Sequence, residues 1–235
     1  MTIKIEGTIE IKKMFADMLG EGSISADKCL SVTVNQTAYQ AQVRLKNEIE
    51  RVFDKPTPMT KSAIRYQKKS TTKNQPSAFV FVNDHPATGA LAPVHWLWHN
   101  IHGGIRELKP SEKSLLRFRK MPAGKMARPG PNMPLNTYGN ITNANMVKLL
   151  SGVGALEFGS VTAQSNDGYH WWATEHGVFR RKLGTSGYPK TMLIYIRQSR
   201  PYKKRFDFYG VGQAEADKVM MQEAEKALDY ALRNY

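Results

Sequence analysis

Four prolines between Met121 and Tyr138 (Pro122, Pro129, Pro131 and Pro134) set the strongest limit on how this chain folds. Proline has no amide donor and fixes φ, so the stretch is neither a continuous helix nor an interior strand. A second break, Lys55-Pro56-Thr57-Pro58, stops any helix arriving from the N-terminal side. The stretch 121–138 also holds Met121, Met126, Met133 and Leu135, apolar residues to which no periodicity gives a place in the chain's own core. Methionine adapts readily at binding surfaces, and long connections inside compact domains are usually functional or disordered. The expectation is an extended arm that packs on a neighbouring subunit, with these four residues as its contact.

Regular elements fall on either side of these breaks. Apolar spacing predicts a helix over Ala38–Phe53, with Tyr39, Val43, Ile49 and Val52/Phe53 near one face and Asn35 or Thr37 as its cap. Strands are expected at Ser62–Lys68 and Ala78–Asn83, forming an antiparallel hairpin whose basic tip carries Lys68, Lys69 and Lys73. A Trp/His-rich stretch, Ala92–His102, follows and is closed by Gly103-Gly104, and shorter helices are expected over Ser111–Lys120 and Asn143–Ser151, the last capped by Thr142. Gly159–Gly168 is small and polar, a loop. Three more strands are expected near Tyr169–Thr174, Val178–Lys182 and Thr191–Gln198. A terminal helix spans about Gly212–Arg233, with Met220, Ala224, Ala227/Leu228 and Ala231 as its apolar stripe. Long helices at the N-proximal and C-terminal ends, with strands between, give an α+β class: an antiparallel sheet packed by those helices, with extended loops or arms. One domain is expected over 36–235, and the pattern assigns no role to 1–35.

The net charge of +14 is segregated. Pro56–Asn83 has five Lys/Arg and no acid, Arg106–Arg128 has eight against two Glu, and His176–Arg205 has nine and no acid. Basic faces follow, for nucleic acid, an acidic protein ring or solubility. Cys29 is the only cysteine, which excludes an internal disulfide and a cysteine metal cage, and fits synthesis in a reducing cytoplasm. No apolar run approaches the ~20 residues of a membrane span, and the first residues lack the apolar stretch of a secretory signal. No membrane partner is expected.

Candidate chemistry is sparse. His95, His99 and His102 share a helical face, but Trp96 stands where a metalloprotease motif has Glu, and packing among aromatics is the favoured reading. His170 and His176, flanking Trp171-Trp172, are read the same way. No nucleophile elbow or phosphate-binding loop is present, and Asp84, Asp167, Glu175 and Asp207 have no motif spacing. No catalytic residue, metal or cofactor is therefore assigned. Arg197–Phe208 interleaves basic and aromatic residues, with Arg200, Lys203, Lys204 and Arg205 as candidate contacts to phosphates. The alternative is a turn whose Tyr202, Phe206 and Phe208 tuck into the core while Lys203–Arg205 stay solvated.

Four phrases resemble the tailed-bacteriophage family of minor tail protein Z, or tail completion (neck) proteins. They are Ile49–Thr60, Gly103–Lys109, Leu135–Thr142 leading into Met146–Ser151, and Arg205–Gly210 before the terminal helix. In this order they span about residues 36–235, and the Trp/His-rich stretch His95–His102 departs from the family by its weight of aromatics. The resemblance implies a virion protein that forms a homo-oligomeric ring at the head–tail junction, beside portal or head-completion and tail proteins and near packaged DNA. A basic double-strand DNA-binding protein is the alternative from another class. A metal-dependent nuclease or a peptidoglycan-cleaving protein is the enzymatic alternative.

Overall fold

The structure is a computed structural model that describes residues 1–68, 76–85, 92–156, 167–197 and 201–234. It is α+β, as the alternation of elements predicts. The chain divides into two compact units, Met1–Gly103 with Lys203–Tyr235, and Gly104–Tyr202. The single domain expected over 36–235 is thus corrected. Two separate apolar cores form, one in each unit, and the chain leaves and re-enters the first unit at Gly103/Gly104 and Tyr202/Lys203.

The first unit begins with strand β1 (Thr2–Glu6) and helix α1 (Ile9–Leu19). Alternation in β1 buries Ile3 and Ile5, while α1 buries Ile11 and Phe15. Residues 1–35 therefore belong to the core, a role the sequence reading did not assign them. Helix α2 runs from Ile24 to Val52, capped by Ser23, whose side chain accepts from the Ala26 amide. It starts well before the expected Asn35/Thr37 cap, because Cys29, Leu30, Thr33 and Val34 continue its buried face upstream. The helix ends before Pro56, as the double proline requires. Thr57 then caps a one-turn helix α3 (Pro58–Lys61).

Strands β2 (Ile64–Lys68) and β3 (Ser77–Val82) pair antiparallel, and β1 adds to the other side of β3. The expected hairpin is present, while most of its basic turn, including Lys69 and Lys73, lies outside the described residues. Helix α4 covers Pro93–His102. After the second unit the chain returns with Phe206 and Phe208, both fully buried, and helix α7 (Phe208–Arg233), capped by Asp207. Helices α2 and α7 run antiparallel: the Cys29 thiol reaches the Ala227 carbonyl near one end, and Arg44 approaches Glu215 towards the other. Their seam is lined by small residues, among them Ala38, Ala41, Gly212, Ala216, Ala224 and Ala227. A Cβ on Gly212 would stand 2.4 Å from Ile3 Cδ1 and 3.1 Å from Leu45 Cδ1, so glycine here permits close approach.

The second unit holds helices α5 (Pro110–Arg117) and α6 (Asn143–Gly152) and a four-stranded antiparallel sheet in the order β4-β7-β6-β5. Its strands are β4 (Lys125–Pro129), β5 (Tyr169–Ala173), β6 (Gly177–Lys182) and β7 (Lys190–Arg197). Leu115, Met121, Met133, Leu149, Trp171, Val178, Leu193 and Tyr195 are among the residues of its core. Thr142 caps α6, accepting from the Asn145 amide. Gly159–Gly168 lies almost wholly outside the described residues.

The arm expected at 121–138 is corrected by this core. Residues 125–129 form edge strand β4, where proline is tolerated at the strand end, as Pro129 is here. Met121, Met126 and Met133 are buried, and Met121 and Met133 pack with Leu115 and Leu149. Only Leu135, 45% exposed, keeps the outward position expected of the set. The error came from seeking periodicity in a segment that uses its apolar residues singly, at a turn, a strand and a loop. Among the described residues, no helix is long and apolar enough to cross a membrane.

Candidate functional site

Two features stand out, one in each unit. In the first, the end of the α2–α7 pair that holds the α2 N-terminus and the α7 C-terminus leaves an open groove of about 650 Å³. It is lined by Ile24, Cys29, Val32, Ala227, Tyr230 and Ala231. Ile24 and Tyr230 are each 72% exposed, which a helix pair closed against solvent would not leave. Burial pushes the Cys29 thiol pKa up, so it behaves as a small apolar residue rather than a nucleophile.

The second unit is built around one carboxylate. Glu112, 1% exposed, receives both Arg106 guanidinium nitrogens at 2.6 Å and the backbone amides of Lys109 at 2.7 Å and Ala127 at 2.8 Å. Burial alone would raise its pKa, but the Arg106 hydrogen bonds and the two amides outweigh that and hold it below the ordinary glutamate value. The pair joins the segment after Gly104, the start of α5 and strand β4, and so fixes the sheet's edge. Its paired form is the strong, forked kind of charge-assisted bond. In the first unit Glu48 makes a local counterpart on α2: it accepts from Arg51 at 2.5 Å and from Arg44 at 3.2 Å, and its pKa is likewise lowered, chiefly by Arg51.

The four family-like phrases coincide with structural joints. Ile49–Thr60 is the end of α2 and the capped turn after it. Gly103–Lys109 includes Arg106 and the Lys109 amide of the Glu112 cluster. In Leu135–Thr142 the Asn136 side chain accepts from the amides of Tyr138 and Asn140, closing a tight turn beneath a Leu135–Ile141 bridge. Arg205–Gly210 carries the buried Phe206 and Phe208 and the α7 cap.

Lys68 ends β2, exposed. Arg200 lies outside the described residues. Lys203 is exposed, Lys204 pairs with Asp207 at 3.1 Å, and Arg205 donates to Asn100 Oδ1 at 3.0 Å with its guanidinium over Phe53. The stretch is thus mostly the packed turn of the second reading, with Tyr202 more exposed than that reading has it. Arg205 braces this turn locally and is exposed, like Lys203. On α4, the Trp98 and His102 rings lie 4.1 Å apart, tilted by 38°, and His102 neighbours Tyr209. Among the described residues, no group of three or more His, Cys, Asp or Glu is placed to hold a metal.

The groove and the Glu112 cluster both escaped the sequence reading. The Arg106…Glu112 spacing carries no periodic signal, and a groove needs the two helices placed side by side before it can be seen. Comparison with protein-family models, curated proteins and solved structures returns no match.

Proposed function

We propose that this chain is a structural virion protein of a tailed bacteriophage, a neck or tail completion component. It forms a ring at the head–tail (portal–tail) junction and helps join or stabilise the tail. It works through its surfaces rather than by turnover, and no metal or cofactor takes part. The observation that carries the reading is the open apolar groove on the α2–α7 pair, with Ile24 and Tyr230 largely exposed. A neighbouring subunit covers such a groove and gains from the burial. A groove that meets a different patch on the next copy makes a heterologous contact, and such contacts build a ring where the rotation between copies closes. The resemblance of the four phrases to neck and tail completion proteins supports the same reading. Portal or head-completion and tail proteins lie on the ring's two sides, and its basic segments face packaged DNA.

The test is quantitative mass spectrometry of purified virions from a host carrying the gene. A ring component is present in a few to about a dozen copies per particle. Absence of the chain from intact particles contradicts the proposal.

A further inference from the structure

The two faces of the four-stranded sheet are unlike. Alternation sends Ala127, Leu193, Tyr195, Val178 and Trp171 to the core face and their neighbours in sequence to the other, except that Met192 stays in the core beside the bulge at Val178/Phe179. That outer face carries His170 and Trp172 on β5, Phe179 and Arg181 on β6, Ile194 and Ile196 on β7, and Arg128 with the buried Met126 on β4. The register sets Trp172 opposite Phe179, His170 opposite Arg181 and Ile194 opposite Arg128. The three rings lie nearly parallel: His170 and Trp172 are 5.4 Å apart at 24°, and Trp172 and Phe179 are 5.9 Å apart at 22°. His170, Arg181, Arg128 and Ile194 are exposed, and Trp172 and Phe179 are half-buried. The strand is held for this. Asp167 accepts from the Trp171 indole at 3.1 Å and from the Tyr169 amide at 3.0 Å, and Arg180 lies over the rings of Tyr169 and Trp171 on the core side.

Charge narrows the occupant. Between Gly104 and Tyr202 there are fifteen Lys/Arg and five Asp/Glu, a net +10 of the whole chain's +14. No carboxylate belongs to the strands of this sheet. A second copy docking the same face would bring like charges together, so the face does not suit self-association. Acidic protein would use the arginines but gain little from parallel rings. Duplex DNA would meet the arginines but hides its base faces. Single-stranded nucleic acid uses both, with bases stacked on aromatic rings and phosphates on basic side chains.

We propose that the outer face of the β4-β7-β6-β5 sheet binds single-stranded nucleic acid, with Trp172, Phe179 and His170 as the stacking platform and Arg128 and Arg181 as phosphate contacts. This does not depend on the neck reading, because it is tested on the isolated full chain and that reading is tested on particles. The probe is a labelled oligothymidine of about 20 nucleotides, followed by fluorescence anisotropy over a salt series, beside a duplex of equal length and polyglutamate as competitor. The wild-type chain binds the single strand more tightly than the duplex. Trp172→Ala with Phe179→Ala lowers single-strand affinity by about tenfold or more, with circular dichroism unchanged. Arg181→Ala weakens binding and reduces the salt slope by about 0.7. Should the alanine pair misfold, Trp172→Phe keeps a ring: binding persists while the quenching of tryptophan fluorescence by oligothymidine shrinks. Equal affinity for duplex, full affinity in a folded alanine pair, or unchanged quenching in Trp172→Phe overturns the proposal. Complete displacement by polyglutamate, with equal loss of oligothymidine and polyglutamate binding in Arg181→Ala alone, points to an acidic protein instead and overturns it too.

Discussion

In the first unit two long helices close on alanines, a glycine and threonines, and the core they share with β1, β2 and β3 is spread over many residues. In the second unit a smaller core is tied at one point, where Glu112 gathers Arg106 and two backbone amides from separate segments. Net charge differs as well, +4 against +10. A distributed apolar seam loses stability in small steps when single residues change. A buried ionic joint loses it at once, because removing one partner leaves the other charged and dry. The comparison teaches that the two units are vulnerable in different ways, and each difference can be measured.

The largest expected effect is deletion of Ala123–Met133. It removes strand β4, with the Ala127 amide that Glu112 accepts from, and Met133 from the core. The second unit should lose its fold, seen as loss of near-ultraviolet dichroism from Trp171 and Trp172 and fast amide exchange in β6 and β7. A deletion variant with native exchange there would return the segment to the role of a dispensable arm.

Next is Glu112→Ala, which takes the carboxylate from the Arg106 guanidinium, leaving it the Glu107 carbonyl, and removes the acceptor of two amides. About 3–5 kcal/mol should be lost on denaturation, with exchange rising more in β4 and β7 than in α2. The same joint sets an acid sensitivity. Because Glu112 titrates lower when folded than when unfolded, its contribution is complete above the ordinary glutamate value of about 4.5. It is lost as pH falls below that value through the folded one. Protection of the β4 amides, taken relative to the intrinsic exchange rate at each pH, should therefore fall with acid in the wild type and much less in Glu112→Gln. An equal acid response in both would break the comparison.

The smallest effect belongs to the seam. Gly212→Ala places a methyl group against Ile3 and Leu45, at an overpacking cost of about 1–3 kcal/mol, offset by about 1 kcal/mol of better helix propensity. Urea denaturation should show a loss of under about 2 kcal/mol. A loss as large as that of Glu112→Ala would mean the seam is no more forgiving than the joint.

These contrasts also explain what could be read from the sequence. The terminal helix, the β2–β3 hairpin, the Thr142 cap and strands β5, β6 and β7 follow from periodicity and local chemistry, and they were legible, whereas β4 was not. Helix α2 was legible only from Ala38, because its upstream half intersperses Leu30 and Val34 with buried Thr33 and Thr37, which carry little apolar signal. The division into two units, the burial of Met121 and Met133 and the Glu112 cluster depend on contacts between segments far apart in the chain. Local pattern cannot carry those. The groove at Ile24 and Tyr230 is of the same kind, since each residue alone is an ordinary exposed side chain on a helix.

The central claim, that this chain assembles through the open end of its helix pair, is tested most directly by Tyr230→Glu. Tyr230 is largely exposed, so the substitution leaves the subunit's own core intact, while it puts a charge where a neighbour is to pack. The measurement is the copy number of the chain in purified virions from a host supplying either the wild type or the variant, each shown to be folded by circular dichroism. The account predicts a ring's complement of wild-type chain and loss of the folded variant from particles. Equal incorporation of Tyr230→Glu would contradict it.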